Sequence, residues 1–186
     1  MSLTDAFIAR LEDMKAGDRA RLRQLAGQPL DRSVPGFDLF TGLWWPLRQK
    51  SPQAPERRTA WLVAKLYGAF PIPNTRASPG SRRATLPAVL GRAEARQKDR
   101  ERFRQRFDAL ILAPLSAIEP PLRWALSIAR KAVAQGHEPG MDWVDLLDDL
   151  HSWDRGHERG RAVDIPDQWA REYLSPFEGE GDRHVD

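Results

Sequence analysis

A chain of 186 residues, 41% hydrophobic and 30% charged, is long enough to bury a core and too apolar to belong to the disordered class. It contains no cysteine, which excludes disulfides, zinc–thiolate centres, iron–sulfur clusters and cysteine nucleophiles. The net charge of +3 hides an asymmetry: residues 1–136 carry 24 Lys+Arg against 12 Asp+Glu and residues 137–186 carry 5 against 14, a split that points to a polyanionic partner for the basic portion.

No segment alternates as a half-buried strand does, whereas several repeat apolar residues at helical spacing, so the fold is expected to be all-α. Thr4 is placed to cap a first helix reaching about Lys15, with Leu3, Phe7, Ile8 and Leu11 on one face. A second starts at Asp18, carries Leu22 and Leu25, and stops before Gly27 and Pro29. Between Pro29 and Pro55 the prolines predict only a short helix, although Phe37, Leu39, Phe40, Leu43, Trp44 and Leu47 read as buried. Glu56–Phe70 is a helix with Leu62, Leu66, Ala69 and Phe70 on one side. Pro71–Pro79, extended by Gly80–Arg83, is a loop and the segment most expected to lack order. Ala93–Ala113 reads as one long helix with Phe103, Phe107, Leu110 and Ile111 inward, closed by Pro114. A helix follows from about Pro120 to Gln135, with Gly136 at its end and Leu122, Leu126, Ala129 and Val133 in one arc. Asp142 is placed to cap a helix burying Trp143, Leu146, Leu147 and Leu150, and Gln168–Leu174 supplies a last short one. The expected organisation is a larger basic N-terminal bundle over 1–113, a smaller bundle over 114–176 and a polar tail over 177–186.

Within the basic portion, residues 76–106 hold ten basic and three acidic side chains. Of the 29 basic residues 24 are Arg, whose planar fork suits bidentate phosphate contacts, although a GC-rich genome also raises Arg content. On the helix from Pro120, Arg123 and Arg130 fall within about 20° of each other, with Ser127 and Lys131 alongside. Arg104 and Arg106 flank the Phe103–Phe107 stripe on either side, and Arg19, Arg21 and Arg23 form a similar cluster on the second helix. Such charges beside apolar stripes fit a groove that neutralises phosphates without reading bases. The plain alternative for any one of them is salt-bridged helix surface. If Phe103–Phe107 packs on Leu122–Leu126, then Arg104, Arg106, Arg123 and Arg130 are expected to form one track. Among the seven tryptophans, Trp143, Trp153 and Trp169 read as core, while Trp45 and Trp124, off the main stripes, are the candidates for stacking on a base or a partner.

The segment from Asp142 to Glu158 offers carboxylates and two histidines, enough ligand types for a divalent metal. The spacing argues against a site: Asp145 and Asp149 lie four apart on an expected outward face, with no matching acidic pair on a second helix. No G-x-S-x-G, Walker A or G-x-G-x-x-G sequence occurs. No catalytic residue, metal or cofactor is therefore expected. No apolar run approaches the roughly 20 residues that span a bilayer, and Met1-Ser2-Leu3-Thr4-Asp5 lacks a basic region followed by an apolar stretch, so a cytoplasmic protein without a membrane partner is expected. A metal-dependent all-α phosphohydrolase and a helical protein–protein adaptor stand as the alternatives to a nucleic-acid binder.

The order of several motifs resembles the CasB family, the small subunit of type I-E CRISPR Cascade complexes. They are R-A-R-L-R (Arg19–Arg23), P-E-R-R-T-A-W-L-V-A-K-L (Pro55–Leu66), V-L-G-R (Val89–Arg92), R-Q-R-F-D-A-L-I (Arg104–Ile111), P-L-R-W-A-L (Pro121–Leu126), M-D-W-V-D-L-L-D-D-L-H-S-W-D (Met141–Asp154) and Q-W-A-R-E-Y. The resemblance implies an all-helical, non-catalytic subunit present in two copies beside the backbone subunits and the large subunit. It implies contact with the guide RNA, the target and the displaced DNA strand, which stabilises the R-loop in antiviral defence. Carried onto matching positions, the implied contact set is Arg19, Arg21, Arg23, Arg58, Arg92, Arg104, Arg106, Arg123, Arg130 and Lys131.

Overall fold

The computed structural model describes residues 2–28, 34–52, 54–76, 83–153 and 164–178. Its described residues are helical apart from turns and one isolated parallel bridge between Asn74 and Met141, so the protein is all-α. No described helix is long and apolar enough to cross a membrane. The chain forms two compact units, Met1–Pro71 with Trp143–His151, and Ile72–Asp142 with Ser152–Asp186.

The first unit holds α1 (Leu3–Glu12), α2 (Ala16–Gln24), α3 (Val34–Lys50), α4 (Arg57–Ala69) and most of α8 (Trp143–Ser152). α4 is its axis, buried continuously from Thr59 to Gly68. Phe7, Ile8, Leu11, Leu22, Phe40 and Leu47 complete the core, and Phe40 meets Trp61 edge-on at 5.2 Å. α1 starts two residues earlier than its sequence suggests. Ser2 is the cap, its hydroxyl accepting from the Asp5 amide while Asp5 accepts from the Ser2 amide, a reciprocal box that Thr4 cannot form. Thr4 is buried instead and donates to Asp148 at 2.6 Å. α3 is a 17-residue helix with Pro46 inside it, not the short helix expected. A proline leaves the carbonyl four residues back without its amide partner. Here Arg10 approaches Gly42 and Leu43 with Nη1, donating to their carbonyls at 3.5 and 3.2 Å, so the helix passes through.

The second unit holds α5 (Leu86–Glu94), α6 (Arg100–Ile111), a 3-10 turn (Leu115–Ala117), α7 (Glu119–Ala134) and α9 (Ile165–Glu178). α5 is almost wholly buried and packs on α6, α7 and α9. The expected single helix over Ala93–Ala113 is two. Side chains take over the last carbonyls of α5: Arg96 donates to Arg92, Gln97 to Ala93 and Arg100 to Ala95. Asp99 then opens α6 by accepting from the Arg102 amide at 3.0 Å. α9 extends beyond the expected Gln168–Leu174 at both ends. Phe107 and Tyr173 stack at 3.9 Å, and Trp153 meets Trp169 edge-on at 4.9 Å. Trp143, Trp153 and Trp169 are all buried, as their spacing predicts.

The first part of the Pro71–Arg83 segment is tightly held. The Met141 amide donates to the Pro73 carbonyl and the Thr75 amide to the Met141 carbonyl, both at 2.9 Å. A Cβ on Gly140 would lie 2.4 Å from the Pro73 carbonyl oxygen, so only glycine admits this approach. Residues 77–82 of the expected loop lie outside the described residues.

Candidate nucleic-acid interface

α7 has three distinct faces, and they organise the site. Leu122, Ala125, Leu126 and Ala129 are buried. At 100° per residue, Trp124, Ile128, Lys131 and Gln135 lie about 140° to one side of that stripe, and Arg123 with Arg130 about 100° to the other. α6 divides in the same way: Phe103, Phe107 and Leu110 are buried, with Arg102 and Arg106 about 90° to one side and Arg104 about 90° to the other.

Where α6 and α7 pack, Phe103 holds Trp124 edge-on at 5.1 Å, and the sides bearing Arg102, Arg106, Trp124 and Lys131 meet along a groove of about 790 Å³. Its apolar floor is Phe103, Trp124, Ile128 and Ala132. Five cations border it among the described residues, Arg96 and Lys98 from the α5–α6 connection, Arg102 and Arg106 from α6, and Lys131 from α7, against the single acid Asp99. The carboxylate of Asp99 is already engaged as the α6 cap. Gln97, Gln135 and His137 add further polar groups. His137 is placed by a glycine turn: Gly136 takes φ +72°, and the His137 amide reaches back to the Ala132 carbonyl at 2.9 Å.

Among the described residues, the side chains of Lys98, Arg102 and Lys131 make no hydrogen bond or ion pair, and Arg106 does no more than approach the Trp124 ring at 5.8 Å. Like charges gathered without counter-charges repel, and a polyanion laid between them removes that cost.

Of the ten residues expected at the interface, the groove brings together Arg106 and Lys131. Arg123 and Arg130 are exposed on the opposite flank of α7. Arg104 is turned to the other side of α6, where its Nε donates to Glu94 at 2.7 Å, so one track through all four arginines does not form. Arg92 is committed to the fold: its side chain, 13% exposed, grips Glu138, 3% exposed, through two bonds of 2.7 and 2.8 Å. In the first unit Arg19 donates to the Glu12 and Met14 carbonyls at 3.1 and 3.3 Å, closing the α1–α2 turn. Arg21 faces Asp18 and Asp38, while Arg23 and Arg58 are exposed. The groove's Arg96, Lys98 and Arg102 were not singled out by spacing: a continuous helix over 93–113 puts Lys98 and Arg102 away from its apolar stripe and Arg96 in line with Phe103. The concentration of charge over residues 76–106 is the signal they did leave.

Glu94 is fully buried and accepts from both Arg104 and the Tyr173 hydroxyl, joining α5, α6 and α9. Burial, then the hydrogen bond to Glu94, pushes the Tyr173 phenol above its ordinary range. This cluster and the Thr85–Glu172 bond of 2.6 Å consolidate the unit.

The acidic segment is partly inward. Asp149, expected on the outer face of α8, is 7% exposed, because α8 packs two adjacent sides and not one stripe. Asp148 is the outward member and accepts from Thr4. Among the described residues no cluster of three or more His, Asp or Glu side chains is arranged to hold a metal. Asp154, His157 and Glu158 lie outside the described residues.

The profile of the family described as CRISPR-associated protein Cse2 matches residues 18–174. Among solved structures, the chain is similar to CasB from M. ruber, with 22% identity and a TM-score of 0.74 over 100% of this chain and 99% of that one. A Cse2-family CRISPR-associated protein from Thermus thermophilus has 27% identity and a TM-score of 0.64 over 93% and 96%. A structure of CasB from Thermus thermophilus has 25% identity and a TM-score of 0.61 over the same shares. Comparison with curated proteins returns no match.

Proposed function

The chain belongs to the CRISPR-associated Cse2 family, and from that premise we propose that it is a non-catalytic, nucleic-acid-binding subunit of an RNA-guided DNA surveillance complex. In this reading it holds the guide–target backbone and the displaced DNA strand, stabilises the R-loop, and works in the cytoplasm beside the backbone subunits, the large subunit and a second copy of itself. The observation that carries it is the α6–α7 groove, where, among the described residues, five cations border an aromatic floor and one capped carboxylate is the only acid. Phosphates are neutralised one at a time, so such a groove binds strands of any sequence, as a displaced strand requires. Arg106 and Lys131 belong to that contact surface together with Arg96, Lys98 and Arg102. Arg23, Arg58, Arg123 and Arg130 are exposed elsewhere and are assigned to contacts with other parts of an assembled complex.

The test is binding of the full chain to unrelated single-stranded oligonucleotides across a range of salt. Affinity that falls steeply with salt and varies less than about tenfold between sequences is expected. Binding that ignores salt, or strong preference for one sequence, overturns the proposal.

A further inference from the structure

Phosphate neutralisation accounts for the cations of the groove and leaves its floor unexplained. A groove built only for backbone needs no aromatic ring between its two rows of charge. Here Trp124 lines the groove without being buried, held from beneath by Phe103 at 5.1 Å with 64° between the rings. Ile128, one turn along α7, extends the apolar strip, and Gln135, one turn beyond Lys131, adds an amide with donor and acceptor. The Arg106 guanidinium lies over the indole, 5.8 Å from its centroid, so the fork that meets a phosphate and the ring that meets a base share one place. Trp44 and Trp45, the other indoles outside the core, are not so equipped: they sit against each other, the Trp44 Nε1 donates to the Pro55 carbonyl at 2.9 Å, and neighbouring Arg48 donates to the backbone carbonyls of Pro52 and Ala54.

Resting on the function proposed above, we propose that Trp124 is a stacking platform, and that the groove takes a single-stranded segment with one unpaired base laid on the indole while its phosphates meet Arg102, Arg106 and Lys131. Every base has a π-face, so stacking adds affinity without adding sequence preference. It also imposes a condition that charge alone does not. The bases of a duplex are stacked on each other and closed to the ring, so this groove selects the displaced strand over the guide–target duplex.

The experiment compares three ligands of equal length at each of several salt concentrations: a single strand, the same strand with its central bases removed to leave abasic sugars, and the duplex. The full chain is expected to bind the base-bearing strand about five- to hundredfold more tightly than the abasic one. Trp124→Phe is expected to keep much of that ratio and Trp124→Ala to bring it close to one, with helical content checked by circular dichroism. Because the abasic comparison uses the unaltered protein, it stands even if Trp124→Ala fails to fold. Equal binding of base-bearing and abasic strands, both still falling with salt, overturns the stacking platform and leaves the backbone groove intact. Tighter binding of the duplex overturns the strand preference. Absence of salt-dependent binding to any of the three overturns the underlying function.

Discussion

Replacing Arg102, Arg106 and Lys131 together with Ala removes three of the groove's five cations, and counterion release sets the size of the effect. Each phosphate contact on a single strand contributes about 0.7 to the slope of log affinity against log salt, so the triple variant loses about 2 from that slope. Over a fourfold rise in salt, the wild type is expected to lose about twentyfold more affinity than the variant. The fold should be indifferent to the change, since the side chains of Arg102 and Lys131 make no bond within the described residues and Arg106 contributes one exposed cation–π contact, a total of about 1 kcal/mol or less. The assay is fluorescence anisotropy of a labelled oligonucleotide at several salt concentrations, with thermal melts alongside. Arg123→Ala with Arg130→Ala is the comparison, because both side chains lie on the far flank of α7; it should remove less than half as much slope. Equal flattening by the two variants would refute the groove as the principal contact.

Arg92→Ala should cost about 3 kcal/mol, because it strands the nearly buried Glu138 carboxylate, whereas Arg104→Ala should cost about 1 kcal/mol, since Glu94 keeps Tyr173 and water can reach the half-exposed Arg104 position. Melting temperatures of the two variants, ranked in the opposite order, would contradict this assignment. Gly140→Ala should destabilise by at least about 2 kcal/mol, because its methyl group meets the Pro73 carbonyl, a backbone atom that cannot swing aside. Stability should fall as pH rises above about 10, where the unfolded phenol of Tyr173 loses its proton and the folded one keeps it. Tyr173→Phe should flatten that decline in a pH series of melts without abolishing it, since burial raises Tyr67 in the same direction.

Helix positions were legible wherever one apolar stripe and its stop signal coincide. α7 is the clearest case, with prolines at its start, Gly136 past its end and Leu122, Leu126 and Ala129 inward. The errors fall where a side chain from elsewhere, or from just ahead, supplies what the local backbone lacks. Pro46 reads as a breaker until Arg10, more than thirty residues away, covers the freed carbonyls. The break between α5 and α6 is made by Arg96, Gln97, Arg100 and Asp99, all ordinary helix-surface residues by composition, which here bond to the backbone. Propensity has no way to express the first case, which depends on a contact made only after the chain has folded; in the second, local side-chain bonds to the backbone compete with a helix that the same residues would also continue.

The site divides along the same line. Charge content pointed to residues 76–106, and helical periodicity put Arg106 beside an apolar stripe, Lys131 alongside Arg123 and Arg130, and Trp124 off the main stripes. Periodicity also gives two edges to every buried stripe, and it does not say which edge a neighbouring helix leaves open. Arg104 and Arg106 were equivalent flanks of Phe103–Phe107 until Glu94 and Tyr173 claimed one flank and Trp124 the other. The same ambiguity separated Lys131 from Arg130, adjacent in sequence and on opposite sides of α7. Buried carboxylates resolve it: Glu94 and Glu138 each capture an arginine, and those arginines become part of the fold. What remains for a partner is the set of cations that no buried acid reaches, and on one face of the second unit five of that set gather around an indole.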